Sequence, residues 1–343
     1  MKTRKIEQFI SPLGNDMFSN LKGMDLQDLI ICIEGFYLTY RESLGLPEEV
    51  SFGTEIEYED VFPTLVSLYA KKFLKKWDNG TDGSLSVISG EIVSPIMHDN
   101  KESWNELKRI CHFLKAFNAD TFRKAGGHVH VGAHILGKDI EAWKTFLKLY
   151  ACYENVLYRF GFGDKATPRK SLEYYAGFIA NSILHMLDHL EFLDEAKTSD
   201  EKIELFIENL AHYERYNGIN FDNLLINNIE ERYGKNTLEF RFPNATIEEV
   251  VWQNNINTFA KMMLACRNKM VDSDFLEYCV QHFEASLVKL SYYREVDLKK
   301  ALEFVDLVFD KNIDKVYFLR QYFKSFYTSA ELDKTVKAKR FIR

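Results

Sequence analysis

The chain has 343 residues, 46% of them hydrophobic and 28% charged, a balance that supports a packed core and excludes a disordered or low-complexity chain. A formal charge of −7 gives no electrostatic reason to expect nucleic acid as the main partner, and it suits a cluster of carboxylates awaiting cations. Five cysteines without a CxxC pair read as reduced, mostly buried thiols of a cytoplasmic protein.

Residues 1–48 read as an N-terminal helical segment, with an apolar stripe at Leu26, Leu29, Ile33 and Tyr37. The opening MKTRKIEQFISPL has too short an apolar stretch for a signal-peptide core. Leu29 to Tyr40 is interrupted by Glu34 and too short to span a bilayer, so no membrane partner is expected. In VSFGTEIEYED, strand alternation puts Phe52, Thr54, Ile56 and Tyr58 on one face and Gly53, Glu55, Glu57 and Glu59 on the other. Two glutamates on a strand otherwise built for burial are costly unless their charge is compensated, although exposed strand faces also carry such pairs. Next, Asp78-Asn79-Gly80 and Asp82-Gly83-Ser84 read as turns leading into a strand that carries Glu91 and stops at Ser94-Pro95.

Trp104, Leu107, Cys111 and Leu114 follow at helical spacing, as do Trp143, Phe146, Tyr150, Tyr153 and Leu157. Between these two stripes, AGGHVHVGAH aligns His128, His130, Gly132 and His134 opposite Val129, Val131 and Ala133. Histidines two apart on a strand can aim their rings at one ion or one phosphate, and Gly126, Gly127 and Gly132 permit close approach. In NTLEFRFPNAT, Leu238, Phe240 and Phe242 oppose Thr237, Glu239 and Arg241. Glu239 and Arg241 are either a surface ion pair, or a cation ligand beside an anion-binding fork. Thr246 and Glu249 form a capping-box signature ahead of Trp252, Ile256, Phe259, Met263 and Cys266. The basic end, with Lys334, Lys337, Lys339, Arg340 and Arg343, reads as a solvated helix terminus.

Jointly, these strands offer one apolar face for helices and one polar face holding Glu55, Glu57, Glu91, Glu239, His128 and Arg241. Carboxylates converging there repel one another unless cations lie between them. Oxygen-rich ligation with a histidine suits Mg²⁺ or Mn²⁺ better than a closed structural zinc site. An arginine beside such metals suits nucleotide phosphates.

The ordered set FGTEIEYE, DGSL, GEIVSPI, GGHVHVG, RYNGIN and NTLEFRFPNAT resembles the amidoligase family, which belongs with the glutamine synthetase and glutamate–cysteine ligase superfamily of carboxylate–amine ligases. The resemblance runs roughly from Val50 to Cys266. It implies an α+β fold: a glutamine synthetase-like catalytic domain over residues 49–267 whose curved antiparallel sheet has helices on its convex side. Residues 268–343 would be a helical extension packed on the same domain. By the superfamily's pattern Glu57 and Glu91 look like ligands of one divalent ion, with Asp82 a candidate third. Glu55, His128 and Glu239 look like ligands of a second. His130 would lie near the ATP phosphates, and Arg241 would face the transferring phosphoryl group or the substrate carboxylate. Arg215 in RYNGIN looks like a phosphate or substrate contact, Asn220 follows it, and Arg169 and Tyr174 are candidates for a substrate loop. His134 has no family role and reads as a strand-end histidine touching solvent.

The activity implied is an ATP-dependent carbon–nitrogen ligase, an amidoligase, using ATP and Mg²⁺ (or Mn²⁺). The γ-phosphoryl passes to a substrate carboxylate to give an acyl phosphate, and an amine then attacks to leave an amide or isopeptide bond. Expected partners are small-molecule or peptide carboxylates and amines. Two rivals use the same residues: a metal-dependent hydrolase, which would form no ADP, and a catalytically inactive ligase-fold binding protein, which would not turn over ATP.

Overall fold

In the computed structural model, which describes residues 33, 38–121, 123–165, 167–170, 172–213, 215–224, 235–283 and 295–332, the expected alternation becomes a sheet with two unlike faces. The strands are β1 (Phe52–Glu59), β2 (Asp78–Gly80), β3 (Ser89–Val93), β4 (Gly127–Gly132), β5 (Ile219–Asn220) and β6 (Thr237–Phe240). Their order is β2-β3-β1-β4-β6-β5, with every neighbouring pair antiparallel. Helices fall between and after them: α1 (Pro63–Phe73), α2 (Lys101–Ala116), α3 (Ile140–Gly161), α4 (Leu172–Tyr175), α5 (Ala180–Asp188) and α6 (Ser199–Ala211). Beyond β6 come α7 (Glu249–Arg267), α8 (Ser273–Gln281), α9 (Glu295–Val308) and α10 (Asn312–Leu332).

Phe52, Ile56, Tyr58, Val129, Val131, Leu238 and Phe240 are all buried on one face, where helices cover them. Phe52 stacks on Trp104 of α2 at 5.0 Å, and Phe240 stacks on Phe259 of α7 at 4.1 Å. Phe146 of α3 meets Phe240 edge-on at 6.4 Å. Each buried ring contributes about 1.5–3 kcal/mol relative to exposure, so this face holds the sheet flat against its helices. The last helices join the same core: Phe318 of α10 stacks on Phe160 of α3 at 4.4 Å and meets Phe304 of α9 at 4.9 Å. No helix among the described residues is long and apolar enough to cross a membrane. Cys111, Cys152 and Cys266 are buried free thiols, as their scattered spacing suggests.

Three local expectations are corrected. Asp78–Gly80 is a short edge strand rather than a turn, paired so that Gly80 faces Glu91. Strand β4 ends at Gly132, and His134 sits in a 3₁₀ turn, Ala133–Leu136. There it is exposed, with Nε2 2.8 Å from the Glu49 carbonyl. Helix α7 begins at Glu249 with Glu248 at its N-cap and no side-chain cap. Thr246 instead accepts a hydrogen bond from the Glu248 N–H at 3.0 Å, a local turn that competes with helix capping. A reciprocal capping box does occur at Thr198 and Glu201, opening α6. The stripe at Leu26, Leu29 and Tyr37 and the basic residues from Lys334 to Arg343 lie outside the described residues; Ile33 is buried.

Candidate functional site

Antiparallel register brings the polar side chains into a single row. Glu57 lies opposite Glu91, Glu55 opposite His128, and Glu239 opposite both His130 and Asn220. Directly opposed residues share a face, so β3, β1, β4, β6 and β5 each add a polar group to the side away from the helices. Two-residue alternation then adds the second glutamate of β1 and the second histidine of β4. The row is largely shut off from water: Glu57, His128, His130, Asn220, Glu239 and Arg241 are buried, while Glu55 and Glu91 are partly exposed.

His128 stands at the centre. Its Nδ1 is 3.1 Å from Glu55 Oε2, 3.5 Å from Glu239 Oε1 and 3.9 Å from Glu91 Oε1. Its Nε2 is 3.5 Å from Glu57 Oε1. His130 reaches Glu55 Oε1 at 3.0 Å through Nε2, and Thr237 Oγ1 at 3.1 Å through Nδ1. The Gly126 N–H donates to Glu57 at 2.5 Å. A Cβ at Gly126 would come within 3.1 Å of both the His128 ring and the Arg169 guanidinium, so a bare backbone is what admits that amide to the row. Glu239 accepts from Asn220 at 2.8 Å, from Asn223 at 3.2 Å and from Arg241. Lys235 places its ammonium 2.8 Å from Glu55.

Charge is unevenly balanced along this row. Burial drives the Glu55 carboxyl upward, but hydrogen bonds and charge from His128 and His130 outweigh it and hold the group below the usual carboxylate range. Glu239 is lowered in the same way: burial opposes, and His130, His128 and Arg241 prevail. Glu91 goes the other way. Burial, then repulsion from Glu55, Glu57, Asp82 and Glu239, pushes its pKa up to about 8. Two triads offer ligand atoms within 4.8 Å of one another, Glu55–His128–Glu239 and Glu57–Glu91–His128. His128 therefore completes both sets, where the family pattern assigned it to one. Asp82 joins neither triad; it accepts the Ser84 N–H at 2.6 Å and acts on Glu91 only through its charge. Carboxylate oxygens with one imidazole are a donor set for hard divalent cations.

The arginines separate into three situations. Arg241 lies against Glu239, and its Nε is buried and unpartnered. Arg215 is exposed over the Tyr216 ring at 5.7 Å; burial raises the Asp222 carboxyl, and the charge of Arg215 offsets only part of that rise. Among the described residues, no hydrogen bond or ion pair ties Arg215 to the row. Arg169 is buried and donates to the carbonyls of Arg241 at 2.9 Å and Pro243 at 2.6 Å. Its guanidinium clips the exit of β6. Desolvation lowers its pKa to about 10 against the pull of Glu57. Lys235 and Asn223 escape sequence reasoning because loops, not spacing, deliver them to Glu55 and Glu239; alternation puts Thr237 on the polar face, and strand pairing adds its partner His130.

A family model described as "Putative amidoligase enzyme" matches residues 65–263. The match spans more than half of the chain and takes in Glu91, His128, His130, Glu239 and Arg241, while β1 with Glu55 and Glu57 precedes it. No curated protein matches the chain.

Proposed function

The chain belongs to the amidoligase family, and from that premise we propose that it is an ATP-dependent carboxylate–amine ligase with a glutamine synthetase-like catalytic domain. On this reading the domain spans residues 49–267, with 268–343 as an extension packed upon it. The observation that carries the proposal is the buried row in which His128 stands between two carboxylate sets, where burial and then mutual repulsion raise Glu91. At neutral pH such a row either holds a proton, as the raised Glu91 does, or takes up a cation in its place.

The residues fit Mg²⁺ or Mn²⁺: Glu55, His128 and Glu239 would hold one ion and Glu57 with Glu91 a second, since a neutral imidazole has one lone pair and His128 can serve only one ion at a time. Ions bound there would supply charge neutralisation for nucleotide phosphates and polarise the phosphoryl oxygens. A free carboxylate is a poor electrophile, so the reaction needs it converted to an acyl phosphate before an amine can displace phosphate and leave an amide or isopeptide bond. The chain's own groups serve that route by position. Arg241 offers a guanidinium, fixed by Glu239, to the negative charge that spreads over the transferring phosphoryl group. His130, oriented by Thr237 and Glu55, presents a ring to the phosphates. Burial of the row keeps water from competing with the amine.

The test is to incubate the protein with Mg²⁺, ATP and pooled carboxylates and amines. ADP is followed while mass spectrometry looks for products joined with loss of water. ADP formation and such products are expected from the wild type and lost in Glu57→Gln and His128→Ala. Near-wild-type ADP formation in both variants would overturn the metal assignment, and product formation without ATP would overturn the ligase reading.

A further inference from the structure

At the Arg241 end of the row the surface carries an aromatic cluster that the proposed chemistry leaves unused. Tyr174 is 73% exposed and Tyr216 48%. Their rings lie 6.5 Å apart, with Tyr175 at 4.8 Å from the first and 6.2 Å from the second, and Arg215 beside Tyr216. Single exposed aromatic residues are ordinary, but rings gathered beside a site mark a binding surface.

The end of α4 and the loops that follow it and carry Tyr216 are fixed from behind. The Gly177 N–H donates to the Tyr216 carbonyl at 2.8 Å, and the Gly218 N–H to the Gly177 carbonyl at 2.8 Å. The buried Tyr158 hydroxyl donates to the Ala176 carbonyl at 2.7 Å. Buried Glu154 accepts the Ile179 and Ala180 N–H groups at 2.8 and 3.2 Å. A side chain at Gly218 would collide with the Tyr158 hydroxyl. The same loop is joined to the site, since the Arg241 N–H donates to the Gly218 carbonyl at 2.8 Å.

We propose that Tyr174, Tyr175, Tyr216 and Arg215 form the binding surface for the carboxylate substrate, and that this substrate carries a flat ring. The inference rests on the ligase reading for its choice of occupant. Tyrosines held on rigid backbone lose little entropy when a flat face stacks on them. Arg215 supplies the charge complement for a carboxylate, and Arg241 at the joined end of the row suits the carboxylate that is to react.

Titration calorimetry with two probes isolates the ring: hippurate and N-acetylglycine differ only in a phenyl group for a methyl. Hippurate is expected to bind about tenfold more tightly to the wild type, and to within about twofold of N-acetylglycine in the Tyr174→Ala/Tyr216→Ala variant. The Tyr174→Phe/Tyr216→Phe variant keeps the preference, and Arg215→Ala weakens both probes alike. Equal affinities in the wild type, no saturable hippurate binding, or a preference that survives the alanine variant would overturn the proposal. ADP release is measured on the same preparations. Turnover without ring discrimination sinks the platform alone; discrimination without ADP formation sinks the ligase reading alone.

Discussion

Asp314 and Glu91 are both acidic side chains drawn out of bulk water, and their surroundings drive them in opposite directions. Asp314, at the start of α10, receives Lys261 at 2.7 Å, Arg41 at 2.8 Å and Asn257 at 2.9 Å. Burial raises its pKa, but the charges of Lys261 and Arg41 more than offset this and hold it low. Glu91 meets Glu57 directly across the strands and is pushed up to about 8. The first cluster matches its buried carboxylate with two cations and ties Arg41 and α10 to α7. The second is short of positive charge in the protein itself. A structural ion network satisfies its own ions; a catalytic one leaves room for charge that arrives with its ligands.

The largest expected effect breaks the open cluster. Glu57→Gln removes a charge from a mutually repelling set, so ATP-dependent turnover should fall by about 100-fold or more. The metal-free melting temperature should hold or rise, read by calorimetry in chelator. Asp314→Ala should do the reverse. It strands Lys261 and Arg41 without their carboxylate and costs about 3–5 kcal/mol of stability, while turnover per folded molecule is kept. A melting temperature that falls equally in both variants would erase the distinction between the clusters.

How far this contrast could be read in the sequence differs between its halves. Period-two alternation in TEIEYE, HVHVG and TLEF was enough to place Glu55, Glu57, His128, His130 and Glu239 on one side of strands, because β-geometry is fixed over short runs. Alternation says nothing about register, so the meeting of Glu57 with Glu91, and His128 lying between both triads, appear only once β3, β1 and β4 are paired. The Asp314 network was illegible: Arg41 and Asp314 are 273 residues apart, and the polar run Gln253, Asn254, Asn255 and Asn257 lies inside a helix whose apolar stripe alone announces itself. The capping signature at Thr246 misled because the Thr246 hydroxyl serves a tight turn two residues ahead of the helix.

A smaller effect is the pH dependence of the metal-free protein. Glu91 is raised from an ordinary value of 4.5 to about 8, so its favourable contribution is complete below pH 4.5 and is lost as pH rises to about 8. Glu55 and Glu239 are lowered, and their contribution is present above the ordinary carboxylate value and lost only in stronger acid. Without metal, the Glu91 contribution should therefore lower the melting temperature by several degrees between pH 5 and pH 8. Added Mn²⁺ should restore more stability at pH 8 than at pH 5. A Glu91→Gln variant should flatten the metal-free slope; an unchanged slope would remove Glu91 as its cause.

The smallest effect sets the two lysines against each other. Lys261 is a buried residue of α7 paired with Asp314, whereas Lys235 is half exposed and touches Glu55 from the rim of the row. An exposed pair contributes about 0–1 kcal/mol, so Lys235→Met should shift stability by no more than that, where Lys261→Met should cost several times as much. Yet Lys235 engages Oε1 of Glu55, a carboxylate proposed to hold an ion, and its positive charge there opposes a cation. Lys235→Met should accordingly tighten Mn²⁺ binding by about two- to threefold, the equivalent of the exposed pair it removes, as titration calorimetry would show. Weaker Mn²⁺ binding in this variant would mean that Lys235 positions Glu55 for the ion rather than competing with it. The rim lysine would then belong with the fixed charges, beside Lys261.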